Sequence, residues 1–183
     1  KVQKLFSNDA LKIISVGRLT LQKDFMTMVK AINLVKKRNV ELIILGKGSE
    51  RDNLQKFINN NNLSNKIKLI GYKKNPFKYI NQSEIFLLTS IFEGSPNVLI
   101  EAQYLKKYII STNCPTGPRE ILENGKIGDL IKIGDHKKLS NILKNFRLNK
   151  STKKKIELGF KNTKQYDYKL NCLSYYNLIK AYL

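Results

Sequence analysis

The apolar positions of this chain fall into short blocks separated by longer amphipathic stretches, along nearly its whole length. Leu11 to Val16, Val40 to Leu45, Ile67 to Ile70, Glu84 to Thr89, Tyr108 to Ser111 and Ile127 to Ile131 read as strands. A helix is predicted from about Asp24 to Arg38, with Phe25, Met28, Val29, Ile32 and Val35 at helical spacing. Glu50 to Asn60, Pro96 to Leu105 and His136 to Phe146 read as further helices, with shorter ones near Pro76 to Asn81 and Pro118 to Leu122. Strands that are apolar throughout, rather than alternating, are buried on both faces as in parallel sheets. Their alternation with helices implies right-handed crossovers and a doubly wound, mostly parallel α/β sheet over residues 11–150. Residues 151–183 are Lys-rich and then aromatic, with no strand. They predict one or two C-terminal helices that pack outside the domain or against another part of a longer molecule.

Composition narrows the class without naming it. The chain has 183 residues, enough for one domain that buries about 70% of its unfolded surface. No apolar stretch approaches the roughly 20 residues that span a bilayer, and no signal peptide opens the chain. It begins at Lys1 rather than Met, which points to a piece of something longer. Cys114 and Cys172 lack metal-ligand spacing and are too few for a disulfide framework, so a cytoplasmic setting is expected. The formal charge is +20, from 34 basic and 14 acidic residues. Five of the basic residues are Arg (Arg18, Arg38, Arg51, Arg119 and Arg147) and the rest Lys, accompanied by abundant Asn and Ile. Biased coding composition produces that mixture. Attraction to anionic lipid, with peripheral membrane contact, or to an anionic substrate is the other reading.

Doubly wound sheets bind ligands beyond the carboxyl ends of their strands, and the candidate motifs fall there. Gly17, Arg18 and Lys23 follow the first strand. Gly17 permits close backbone approach, Arg18 can fork onto phosphate oxygens and Lys23 can add a point charge. A turn carrying two solvated bases is the competing reading. Gly46-Lys47-Gly48-Ser49 follows the second strand but lacks the third glycine of a dinucleotide fingerprint. These glycines are expected to shape a turn that leaves ligand room, with Ser49 capping the next helix. Gly71, Tyr72 and Lys73 follow the third strand, where backbone groups could pair with a base edge beside a flat ring.

The segment after the fourth strand is the most specific. Glu93-Gly94-Ser95-Pro96-Asn97-Val98-Leu99-Ile100-Glu101 places two carboxylates around a turn and a helix start. Ser95 is expected to cap the helix and Pro96 to open it. The amides of Asn97, Val98 and Leu99 are then free for an anion, with Glu101 about two turns further in. An anion between two hydroxyl-accepting carboxylates suits a sugar diphosphate. In the turn at 112–120, Arg119 could face the same site, Cys114 has no His base nearby, and nothing orients His136 as a base.

Four stretches together carry a resemblance: Gly-Arg-Leu-x3-Lys-Asp at 17–24, Leu-Gly-Lys-Gly-Ser-Glu-Arg at 45–51, the Glu-x7-Glu segment at 93–101, and Cys-Pro-Thr-Gly-Pro-Arg-Glu-Ile-Leu at 114–122. In order and spacing the chain resembles the C-terminal, donor-binding half of a family 4 retaining glycosyltransferase with the two-domain GT-B fold. The resemblance implies one Rossmann-like half of that fold, with residues 1–10 as an interdomain linker remnant. It implies catalytic roles for Glu93, Arg18 and Lys23. Arg18 and Lys23, with the amides of Ser95 to Leu99, would hold the donor diphosphate beside Gly17, Gly94 and Pro96. Glu93 would take sugar hydroxyls, Glu101 the ribose, and the backbone at Tyr72 and Lys73 the base. No metal or other cofactor is implied; the nucleotide-sugar is substrate. The glycan or lipid-linked acceptor, and a catalytic His, would belong to an N-terminal half, so the chain alone is expected to be inactive.

Within that resemblance the leading expectation is transfer of a hexose or N-acetylhexosamine to a polysaccharide or lipid-linked glycan, as in capsule or lipopolysaccharide building. The 114–122 stretch looks most like relatives that use UDP-sugars, including N-acetylgalactosamine transferases. A glycogen- or sucrose-synthase-like enzyme is the nearest alternative. A basic, non-catalytic nucleic-acid module is a further one, against which stands the absence of stacking aromatics interleaved with the basic residues.

Overall fold

A computed structural model describes residues 4–182. Six strands form one sheet: β1 (Leu11–Val16), β2 (Val40–Leu45), β3 (Ile67–Leu69), β4 (Ile85–Leu88), β5 (Tyr108–Thr112) and β6 (Asp129–Ile131). Their order is β3-β2-β1-β4-β5-β6 and every pairing is parallel. The order reverses between β1 and β4, which opens the crevice where this topology takes ligands. β2, β4 and β5 are buried at every position, as expected of strands covered on both faces.

The helices are α1 (Phe25–Asn33), α2 (Arg51–Asn60), α3 (Phe77–Ile80), α4 (Asn97–Tyr104), α5 (Pro118–Ile121), α6 (His136–Asn145), α7 (Lys150–Asn162) and α8 (Tyr168–Lys180). One core layer joins Met28, Val29 and Ile32 of α1 and Leu139 and Leu143 of α6 to one face of the sheet. The other joins Leu99 and Ala102 of α4, with Ile121 and Leu122, to the opposite face.

Several boundaries differ from the sequence reading. α1 stops at Asn33, not Arg38, because Leu34 and Val35 close the helix with short-range bonds to Ala31 and Ile32. Ser49 does not cap α2; Glu50 holds that position without a side-chain bond. β6 starts at Asp129, not Ile127, and just before it Gly128 lies so close to Ile109 O that a Cβ would sit 2.9 Å from it.

Residues 4–10 lie along the sheet: Phe6 is buried and the Ser7 hydroxyl donates to Glu41 Oε1 at 2.5 Å. Lys1 to Gln3, the start of the expected linker remnant, lie outside the described residues. α7 seats Gly159 against Gln103 of α4 and ties Lys155 to Asp129 at 2.8 Å. α8 has no buried residue.

Candidate functional site at the carboxyl edge of the sheet

The loops after β1 and β2 meet backbone to backbone. Gly17 N donates to Leu45 O and Leu19 N to Lys47 O, both at 3.0 Å, and Glu50 N to Leu19 O at 2.9 Å. A Cβ on Gly46, whose φ is +149°, would lie 1.8 Å from Gly17 O. The loop after β1 therefore demands glycine at 46 and 48, and Gly46 also borders the open space beside it. With the start of α3 these loops enclose a cavity of about 430 Å³, lined by Gly17, Arg18, Lys47, Tyr72, Lys73 and Pro76 among others. Arg18 is exposed and its side chain makes no hydrogen bond or ion pair among the described residues, leaving its guanidinium fork free at the rim. Tyr72 is exposed beneath Lys47, whose Nζ lies 6.0 Å from the ring centroid.

The turn before α4 is built differently from the expectation. Pro96 occupies the capping position (φ −74°, ψ 89°), the helix opens at Asn97, and Ser95 makes no capping bond. Proline at that position leaves the helix without a side-chain acceptor for its first amides. Leu99 N is already spent on Pro96 O at 2.9 Å, so only Asn97 and Val98 of the three named amides have no partner among the described residues. Glu101 is the fifth residue of α4, just over one turn in and not two.

The two carboxylates have unlike surroundings. Glu93 has only 6% of its side chain exposed. Lys23 Nζ donates to both its oxygens, at 2.6 and 2.8 Å, and the buried Ser90 hydroxyl donates to Oε1 at 2.5 Å. Further hydroxyls fix the backbone around this pair. Thr89 donates to Asp24 O at 2.7 Å, Thr112 to Ser90 O at 2.6 Å, and Thr116 to Glu93 O. Gly117, at φ +80°, brings the loop after β5 against the turn: a Cβ there would lie 2.3 Å from Gly94 O and 2.6 Å from Pro96 Cδ.

The Glu101 carboxylate has no hydrogen-bonded partner among the described residues, and burial pushes it above the ordinary value. It lines a second cavity of about 570 Å³ with Phe77, Tyr104, Phe160 and Tyr166. Pro76 borders the first cavity and Phe77 the second, so the start of α3 divides Tyr72 from Glu101.

The structure thus brings Lys23 and Glu93 together, sets Gly17, Arg18, Tyr72 and Lys73 around one cavity, and places Glu101 on another. Arg119 is occupied elsewhere, donating through Nε to Asn124 Oδ1 at 2.8 Å. Sequence reasoning missed Ser90 and Thr116, and took Gly117 only as fixing the path of its own turn. Their signal was faint: a Ser three residues before Glu93, and a Thr-Gly pair whose target lies 23 residues away in the chain. No group of three or more His, Cys, Asp or Glu side chains with metal-binding geometry occurs among the described residues.

The profile of the family Glycosyl transferases group 1 matches residues 1–163. The chain belongs to this family. It is 33% identical over 162 residues to the N-acetylgalactosamine-N,N'-diacetylbacillosaminyl-diphospho-undecaprenol 4-alpha-N-acetylgalactosaminyltransferase of Campylobacter jejuni, covering 85% of this chain and 44% of that one. An uncharacterized glycosyltransferase of Methanocaldococcus jannaschii is 45% identical over 116 residues, covering 62% and 29%. Among solved structures, Anabaena HepE in complex with UDP superposes with a TM-score of 0.85 at 19% identity, covering 96% of this chain and 50% of that chain. The group 1 domain described here spans less than half the length of these curated relatives. Among its described residues no helix is long and apolar enough to cross a membrane.

Proposed function

We propose that this group 1 domain is the donor-binding half of a retaining glycosyltransferase that moves a hexose or N-acetylhexosamine from a UDP-sugar to a polysaccharide or lipid-linked glycan. The acceptor site and catalytic histidine then belong to a second domain, and the domain alone turns over little. The observation that carries the reading is the turn 93–97. An anchored Lys23–Glu93 pair stands beside two partnerless helix-start amides and beside Gly94, which has neither a positive φ nor any atom within 4 Å of an added Cβ. Nothing in the protein itself requires glycine there, and a ligand approaching the backbone would.

In this reading the diphosphate lies between Arg18, Lys23 and the amides of Asn97 and Val98. These are fixed donors for the negative charge that grows on the leaving group as the sugar–phosphate bond breaks. The diphosphate draws Lys23 toward itself and frees Glu93 oxygens for sugar hydroxyls. Glu101, open and without a partner, accepts the ribose hydroxyls, and the segment at Tyr72 and Lys73 meets the base. The donor class also draws on the relatives: one is named for transfer of N-acetylgalactosamine, and HepE was solved with UDP.

Calorimetry with UDP, GDP and ADP and then UDP-sugars tests the assignment. UDP should bind, and Glu101→Gln should weaken it about tenfold, the scale of one hydrogen bond to a charged acceptor. Glu93→Gln should weaken UDP-sugars more than UDP. No binding of any nucleotide at millimolar concentration, or equal effects of both changes on free UDP, overturns the reading.

A further inference from the structure

A second cluster of cations lies away from the donor edge. Lys36, Lys37 and Arg38, between α1 and β2, and Lys144 and Arg147, at the end of α6, line a concavity of about 610 Å³ that no carboxylate among the described residues borders. Arg38 lies two residues before β2 and α6 ends beside it, so the concavity sits at the amino edge of the sheet. A six-residue strand separates the two edges by about 20 Å, too far for one small ligand to occupy both.

Two of these cations are held in place. Arg38 Nη1 donates to Phe146 O at 2.5 Å and to Leu143 O at 3.0 Å, and Arg147 Nη1 donates to the same Phe146 O at 2.8 Å. That carbonyl is itself anchored, because the Phe146 ring is buried against Tyr108 with centroids 5.0 Å apart. Two guanidinium groups sharing one oxygen repel one another, and Arg147 and burial both make the charge on Arg38 harder to keep. The carboxylate that acts on Arg38, Glu84, does not line the concavity, and its Oε2 accepts Lys12 N at 3.0 Å. Protein carbonyls orient the forks but do not neutralise them.

We infer that this concavity is a second anion site, which takes a compact ligand bearing several phosphate charges. Two oriented forks match phosphate oxygens in bidentate fashion, and three exposed lysines add charge without demanding geometry. The same density of phosphate charge is offered by neighbouring headgroups of an anionic bilayer and by soluble polyphosphates.

The test uses tripolyphosphate and two double variants that remove equal charge. Lys37→Glu with Lys144→Glu lies in the site, whereas Lys153→Glu with Lys154→Glu lies on the exposed face of α7. All chains carry Arg18→Ala so that the donor edge contributes little. Calorimetric affinity should fall at least tenfold for the first pair and less than twofold for the second, and bound ligand should slow amide exchange at residues 34–39 and 143–148. Arg147→Lys keeps the charge and removes a fork, and should cost severalfold. Equal losses in the two pairs would mean that the overall charge, not a site, binds the anion, and undetectable binding would end the proposal outright. Sedimentation with phosphatidylglycerol and with phosphatidylcholine vesicles separates the sources. Retention on the anionic vesicles alone, lost in the first pair, identifies a lipid headgroup; tripolyphosphate binding without retention identifies a soluble ligand.

Discussion

The two carboxylates of the 93–101 segment are only eight residues apart, yet the protein treats them as opposites. Glu93 is enclosed, paired with Lys23, bonded to Ser90 and buttressed from the loop after β5. Glu101 is half-buried and has no partner among the described residues. The glycines repeat the contrast: Gly117 is pressed onto Gly94 O and Pro96, while an added Cβ at Gly94 would touch nothing. One half of the segment is closed by contacts within the protein; the other is left open.

If that division is right, substitutions among the enclosed groups should cost stability, whatever they also do to sugar recognition, whereas those among the open groups should act mainly on binding. Gly117→Ala should have the largest effect. It combines a φ of +80° with a 2.3 Å approach to backbone, so about 3 kcal/mol of stability should be lost in urea unfolding. Gly94→Ala should leave the unfolding midpoint within about 0.5 kcal/mol while weakening UDP-sugar binding. Comparable destabilisation by both would erase the contrast. Lys23→Met comes next, because it strands a carboxylate that is nearly enclosed; about 2 kcal/mol should be lost, and Glu93→Gln in the same chain should restore part of it.

How legible these halves were in the sequence follows from the range of the forces involved. The sheet was readable because strand burial writes itself as uninterrupted apolar runs, and β2 and β4 appeared close to where they lie. Arg18, Lys23 and Glu93 were found because charges and glycines at strand ends stand out locally. The details that failed depend on contacts between loops. Pro96, which takes the cap in place of Ser95, lies against Gly117, 21 residues later in the chain, and the reason for Gly46 is a carbonyl 29 residues earlier. Ser90 escaped notice because a serine at a strand end looks like any turn residue until its hydroxyl is seen on Glu93. The placement of Glu101 in a separate cavity depends on Phe160 and Tyr166, which no local pattern links to it.

Ser90→Ala sharpens the contrast at smaller scale. The hydroxyl is fully buried and serves Glu93 Oε1, so its loss should cost about 1 kcal/mol and let the carboxylate turn. UDP-sugar affinity should fall severalfold with UDP affinity unchanged, and Ser90→Thr should recover it in part. A purely structural role for Ser90 would lower both affinities together.

The smallest expected effect is on Glu101 in the absence of ligand, and its sign separates burial from partnership. Burial raises this carboxyl in the folded chain above its unfolded value, so folding favours the protonated form. Glu101 therefore disfavours folding once ionised, and stability falls as pH rises through the window from the ordinary carboxylate value up to the raised one. Glu101→Gln removes that charge. The variant should be more stable than the parent at pH 7.5, by about 0.5 kcal/mol or less, and the gain should vanish near pH 4, where both side chains are neutral. Thermal unfolding at the two pH values measures the difference. A destabilised variant at pH 7.5 would mean that Glu101 already has a favourable partner in the empty chain, and the contrast with Glu93 would collapse. Added UDP should reverse the order at neutral pH, because the ribose hydroxyls would give the ionised carboxylate the donors that the protein withholds.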